Sequence, residues 1–327
     1  MLPITSWQHW LPSWIEWSDH QPRLAWCYTH GEQVYRPFFY DLVSHFYRQP
    51  LNRYLLRRSA LREVPHVEEC LQRSPPKAFI FHLSRCGSTL LARLLSALPH
   101  SLVLSEPDPV EALLHAPLRH PGISEEQQIT WLRQLLAGFA LYRAPALQHI
   151  FIKLDNWSIS ALPLLQKAFP GTPCVFLYRD PVEVMASHQR QAGQQMVPGL
   201  LEPELFGLQG SDLATLDFYD YRLQVLAHTM QQALALATSD GLQLMHYPRL
   251  PAAVAPWCRD HLGLDLDADT LAQMQVLSQG SAKHPEQMFR PDGQQKRIEL
   301  PPDLAERVHL RLDGLYQALL ASPHNYC

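Results

Sequence analysis

Two arginine-containing stretches carry the residue types needed to receive phosphate-like anions. The first, Ser84-Arg85-Cys86-Gly87-Ser88-Thr89, follows the apolar run Phe79–Leu83 and precedes leucines at 91, 94, 95 and 98. This pattern predicts a strand, a tight loop and a helix running to about Leu98, with the leucines on its buried face. Ser88 and Thr89 fall in the first turn, where backbone N–H groups lack intrahelical partners and the helix dipole favours negative charge. Gly87 lets the backbone approach an anion closely, and Arg85 adds a charge that is not lost near neutral pH. Cys86 reads as a loop spacer rather than a nucleophile, because no His/Asn partner pattern accompanies it. The loop is not a Walker A sequence: GxxxxGK[ST] is absent, and no lysine precedes Ser88.

The second stretch is Val175-Phe176-Leu177-Tyr178-Arg179-Asp180-Pro181, continuing through Ser187 and His188. Arg179 ends a predicted strand, Asp180 is an N-cap candidate, and Pro181 takes the first helical position that proline favours. Ser187 lies about two turns into that helix, from where its hydroxyl can point back toward Arg179. An arginine with a hydroxyl is a good receptor for a terminal phosphate.

The elements that position these stretches follow from hydrophobic patterning. Short apolar runs at Ala78–Leu83, Leu102–Leu104, Ile150–Leu154, Cys174–Tyr178 and Leu242–Tyr247 are each followed by a helical segment or a loop leading to one. Continuous apolar strands separated by helices predict an α/β fold with a parallel sheet flanked by helices on both faces. Ligands in such sheets bind at the carboxyl ends of the strands, where both arginine stretches fall. A boundary is expected near the Pro75–Pro76 pair, dividing an aromatic-rich extension, 1–75, from the α/β domain, 76–327. Five of the eight tryptophans lie in the extension, and Trp7, Trp10, Trp14 and Trp17 recur at helical spacing, interrupted by Pro12. They are expected to form an aromatic stripe packed on the main domain; the functional alternative is a lid or wall for an acceptor pocket. Arg53, Arg57, Arg58 and Arg62 read as a solvated helix face.

Composition narrows the function classes. With 46% hydrophobic and 18% charged residues and a net charge of −4, no global field draws the chain to nucleic acid or anionic lipid. The six cysteines are scattered without a CxxC pair, which argues against a zinc site or disulfide framework and suits a reducing compartment. No signal-peptide pattern opens the sequence, and no apolar run approaches a membrane span, so the expected location is cytoplasmic. The 17 histidines show no ligand spacing. Asp265-Leu266-Asp267-Ala268-Asp269 begins like a calcium loop, but Thr270 and Val276 replace its glycine and bidentate glutamate, leaving a loop and helix start.

Taken together, Ser84–Leu91 and Tyr178–Ser187 resemble the sulfotransferase family. The first is similar to its 5′-phosphosulfate loop, in the arginine form of tyrosylprotein and several bacterial and carbohydrate enzymes. The second is similar to its 3′-phosphate motif, with the same eight-residue step from arginine to serine. Ser105-Glu106-Pro107, Ile152-Lys153-Leu154-Asp155-Asn156, Phe169-Pro170-Gly171, Tyr247-Pro248-Arg249-Leu250 and Leu262-Gly263 are weaker matches in the right order. The resemblance covers about residues 77–297. It departs from the family where leucine replaces the tryptophan after the first loop. The Arg-Lys-Gly segment is also absent, although Lys283, Arg290, Lys296 and Arg297 suggest a basic closing loop in its place.

The resemblance implies a P-loop nucleotide-kinase-like fold and transfer of a sulfuryl group from 3′-phosphoadenosine 5′-phosphosulfate (PAPS) to an acceptor hydroxyl or amine, with no metal. The nucleotide-binding residues would be Arg85, Cys86, Gly87, Ser88, Thr89, Arg179, Ser187 and Tyr247. Arg85 and Lys153 would neutralise the leaving group, and Glu106 would be the base, with His82 and Asp155 as rivals and His188 as a further nucleotide contact. Two other readings share the layout: an ATP-dependent P-loop kinase or NTPase, and a nucleotide-binding regulator without chemistry. The acceptor's class and the oligomeric state are not encoded in these motifs.

Overall fold

The computed structural model describes residues 7–32, 34–55, 57–280 and 293–326. Its centre is a five-stranded, wholly parallel sheet formed by β4 (Pro76–His82), β5 (Ser101–Ser105), β6 (His149–Lys153), β7 (Cys174–Tyr178) and β8 (Gln243–His246), in the order β5-β6-β4-β7-β8. All five strands expected from the apolar runs are present. The three central strands are almost entirely buried, so apolar side chains on both faces are covered by helices, as a parallel sheet requires. β4 lies at the middle, and the order of connections reverses beside it, which places the loop after β4 at the sheet's ligand-binding end.

The N-terminal tryptophans do not form a helical face. β1 (Trp10–Ser18) and β2 (Gln21–Tyr28) make an antiparallel hairpin, joined by β3 (Arg57–Ala60) into a second sheet. Asp19 and His20 both adopt positive φ, 49° and 58°, the left-handed pair of a two-residue hairpin turn whose twist matches the flanking strands. Turn geometry and strand pairing prevail over the apparent helical spacing. Pro12 is accommodated where the register shifts between Pro12 and Trp14. The arginines likewise do not share one helical face. Arg57 and Arg58 lie on β3, with the Arg57 guanidinium 3.9 Å from the Trp7 ring centroid and Arg58 Nε 2.6 Å from Glu16.

This small sheet packs on the long helix Glu125–Tyr142. Trp17 meets Trp131 edge-on at 6.0 Å, and a Cβ on Gly138 would come within 3.0 Å of Trp26. On the other side, the helices Phe218–Asp240 and Pro302–Ala321 pack together. Beyond them, segment 322–326 lies against the outer edge of β8: Leu244 N–H donates to His324 O at 2.9 Å, and Tyr326 N–H donates to Leu244 O at 2.8 Å. Asp267 caps the helix Ala268–Gln279 by accepting from Thr270 N–H at 2.8 Å, so the calcium-like sequence is a helix start. Among the described residues, no helix is long and apolar enough to cross a membrane.

Candidate active site

The loop from β4 to the helix Ser88–Leu95 carries three positive φ values, Ser84 at 73°, Arg85 at 50° and Gly87 at 88°. The two non-glycine residues are held there by specific bonds. Ser84 N–H donates to His82 Nδ1 at 3.0 Å, Gln195 Nε2 donates to Ser84 Oγ at 3.2 Å, and Arg85 Nη2 donates to Gln191 O at 2.7 Å. Left-handed conformations of this kind cost about 1–3 kcal/mol each and persist only where the surroundings fix them. Gly87 has a further constraint: a Cβ there would lie 2.7 Å from Tyr247 Cδ2. No side chain caps the helix, and Gly87, Ser88 and Thr89 line the adjoining cavity, leaving its N-terminus available to an anion. Cys86 faces inward, its thiol donating to Leu177 O at 3.1 Å, and burial pushes its pKa up to about 11. That suits a spacer, not a nucleophile.

Arg179 follows β7 directly and is 5% exposed. Its Nε donates to Glu183 Oε2 at 2.5 Å, and its guanidinium lies 4.2 Å from the Tyr247 ring centroid. Asp180 caps the next helix, Pro181–Arg190, by accepting from Val182 N–H at 2.8 Å, with Pro181 at its first position. Ser187 lines the cavity from this helix. His188 does not: it is 1% exposed, and its Nδ1 accepts from Gly193 N–H at 3.3 Å, supporting the turn that follows.

The same cavity is lined by a cluster of three titratable side chains, His82, Glu106 and Lys153. Glu106 leaves β5 with φ of 56°, and its N–H donates to Lys153 O at 2.6 Å, which extends the β5–β6 pairing by one residue. Its carboxylate accepts from Lys153 Nζ, and His82 Nε2 lies 3.6 Å away. Burial disfavours the Glu106 carboxylate, but Lys153 and His82 outweigh it and hold the group well below the usual range. His82 is lowered to about 4 by burial and by the Lys153 charge, so its imidazole is neutral at pH 7. Asp155, just past β6, shifts the other way: burial, with Glu111 and Glu106 nearby, pushes its carboxyl well above the ordinary range. All three candidate bases, Glu106, His82 and Asp155, line the cavity.

One cavity of about 690 Å³ is lined by all ten predicted site residues: Arg85, Cys86, Gly87, Ser88, Thr89, Glu106, Lys153, Arg179, Ser187 and Tyr247. Its walls include residues that motif reading missed, among them Phe38, Asp41, Trp157 and Gln195. Lys296, of the expected basic closing loop, also lines it, whereas Arg297 turns outward to Asp180 at 2.8 Å and Glu183 at 3.0 Å. Lys283 and Arg290 lie outside the described residues. Glu183 was also overlooked, although a carboxylate four residues after an arginine is itself a pairing signal. Among the described residues, no group of three or more His, Cys, Asp or Glu side chains could hold a metal ion.

A parallel α/β sheet with two arginine-bearing loops at its strand ends defines the fold class, and family comparison narrows it. Residues 76–234 match the model of the sulfotransferase family. No curated protein sequence matches the chain. Among solved structures it is similar to the sulfotransferase domain from the curacin biosynthetic pathway, at 16% identity over 72% of this chain and 96% of that one, with a TM-score of 0.41. It is also similar to a sulfotransferase from Mycobacterium avium, at 14% identity over 81% and 84%, with a TM-score of 0.47. A sulfotransferase from Alicyclobacillus acidocaldarius matches at 18% identity over 77% and 97%, with a TM-score of 0.43.

Proposed function

We propose that this chain transfers a sulfuryl group from PAPS to an acceptor hydroxyl or amine. The observation that carries this reading is the convergence of both arginine receptors and the Glu106–Lys153 pair on one cavity. Arg179 and Ser187 hold the 3′-phosphate. Arg85 and the N–H groups at the start of the Ser88–Leu95 helix hold the 5′-phosphosulfate. Gly87 lines the cavity with Tyr247 packed against it, so that no Cβ fits there.

In the reaction, the acceptor oxygen or nitrogen forms a bond to sulfur as the bond from sulfur to the bridging phosphate oxygen breaks. The acceptor proton passes to Glu106, and adenosine 3′,5′-bisphosphate leaves. Catalysis of such a loose, in-line transfer rests on positioning and on stabilising charge at the leaving oxygen. Lys153 links the two halves. As negative charge grows on the leaving nucleotide, the lysine is drawn toward it, its hold on Glu106 weakens, and the carboxylate becomes a better base.

Phe38 and Asp41 support a role for residues 1–75 as one wall of the acceptor pocket. The five free, buried cysteines among the described residues suit a reducing compartment, in keeping with a cytoplasmic location.

Calorimetric titration with adenosine 3′,5′-bisphosphate, beside 5′-AMP and ATP–magnesium, tests the donor assignment. Strong preference for the bisphosphate is expected; preference for ATP–magnesium would transfer the assignment to a kinase or NTPase. Bisphosphate binding without turnover on any acceptor would instead mark a regulator.

A further inference from the structure

Beyond Lys153 the cavity wall changes character. Asp155, Asn156 and Trp157 face it from the end of β6, and Phe38 and Asp41 from the start of the helix Phe39–Tyr47. This part of the wall is rich in carboxylates and contains few cations. Glu106 already holds Lys153. Behind Asp155, Glu111 accepts from Asp155 N–H at 3.0 Å and also from the Ser158 hydroxyl. His115 lies 3.4 Å from Glu111, and Asp108 adds another charge on the same side.

Two groups here are left unsatisfied. The Asp155 carboxyl has no hydrogen-bond partner among the described residues. Asn156 is 3% exposed and lines the cavity, and its Nδ2 has no partner among them either. Buried polar groups are almost always paired, so the orphaned Asn156 amide points to a ligand that pairs it; the half-buried Asp155 carboxyl lines the same cavity beside it. The high Asp155 pKa has the same origin: the surroundings provide like charges and burial but too little countercharge.

We propose that the acceptor is an amino alcohol or aminophenol, whose protonated amine is received by Asp155 while its hydroxyl reaches Glu106. Phe38 and Trp157 flank its carbon skeleton, and the Asn156 amide donates to an acceptor oxygen. This inference rests on the reading of the cavity as the sulfuryl-transfer site. A neutral acceptor would leave Asp155 without the countercharge its setting lacks; an ammonium group supplies it.

The test uses tyramine and 4-propylphenol, matched in shape but differing in charge, titrated into the full chain saturated with adenosine 3′,5′-bisphosphate. Tyramine is expected to bind about tenfold more tightly, since a charge-assisted hydrogen bond is gained and part of its worth is spent ionising Asp155. Asp155→Asn is expected to remove that preference while bisphosphate affinity is kept. Should the variant not fold, the wild-type chain still decides the matter, because the two probes differ in charge and their affinities are compared directly. Equal binding of the two probes, or no binding of either, overturns the amine assignment and leaves the donor site standing. Failure of the bisphosphate itself to bind overturns both.

Discussion

Glu183 offers the sharpest test of how the donor site is built. Its carboxylate receives Arg179 Nε through one oxygen and Arg297 through the other, and it is 9% exposed. The Arg297 side chain is 57% exposed, so its share is at most about 1 kcal/mol. Arg179 is buried, and removing the charge of a buried partner typically costs about 3–5 kcal/mol because the remaining ion is left uncompensated. Glu183→Gln keeps an oxygen on Arg179 Nε, which should limit the loss to about 2–3 kcal/mol. A nucleotide 3′-phosphate at Arg179 would supply the missing negative charge. Saturating adenosine 3′,5′-bisphosphate should then recover about 1–2 kcal/mol of that loss, equivalent to roughly tenfold tighter binding by the variant. Urea denaturation with and without the bisphosphate measures both quantities. An equal loss in the two conditions would show that Arg179 does not face the phosphate.

Four further outcomes are expected. Gly87→Ala should weaken bisphosphate binding at least about tenfold in calorimetry, because its φ of 88° and the Tyr247 ring at 2.7 Å both oppose a Cβ. Glu106→Gln should lower turnover by ~10²–10⁴-fold at nearly unchanged bisphosphate affinity, read by steady-state kinetics on a true acceptor. His82 is lowered from 6.5 to about 4, so its contribution is fully present above pH 6.5 and is lost as pH falls toward 4. That loss is about 3 kcal/mol on His82 alone, and Glu106, also depressed, adds to it at lower pH; His82→Asn should flatten the upper part of the stability–pH curve. Cys86, with a pKa of about 11, should resist iodoacetamide at pH 8 until the chain is unfolded, as mass spectrometry of the labelled peptide would reveal.

The central sheet was legible because its strands are unbroken apolar runs, a pattern that burial on both faces imposes. The local structure of both arginine stretches was legible because loop, cap and helix start occupy a few consecutive residues, as with Asp180 and Pro181. The N-terminal hairpin was misread because tryptophans three and four apart imitate a helix, and the deciding feature, the left-handed pair Asp19–His20, is not a common turn sequence. Lys296, Phe38 and Asp41 could not be read from spacing. They reach the cavity from segments far from the motifs in sequence, and only tertiary packing brings them there. Gln195 is a similar case, since a loop glutamine carries no signal until its amide is seen holding Ser84, and the carbonyl of Gln191 that receives Arg85 is a backbone group that no side-chain pattern reveals.

The segment 322–326 against β8 has a consequence for self-association. An exposed edge strand is a template on which a second chain can continue the sheet. Here the outer backbone groups of Leu244 are already taken by His324 and Tyr326, and the Tyr178 hydroxyl donates to Asn325 Oδ1 at 2.7 Å. Sheet-to-sheet pairing of two copies across that edge is therefore blocked unless the segment first peels away. Because Tyr178 immediately precedes Arg179, peeling would also loosen the end of the strand that carries Arg179, the residue proposed to receive the 3′-phosphate. Aggregation through this edge and loss of nucleotide affinity should therefore set in together.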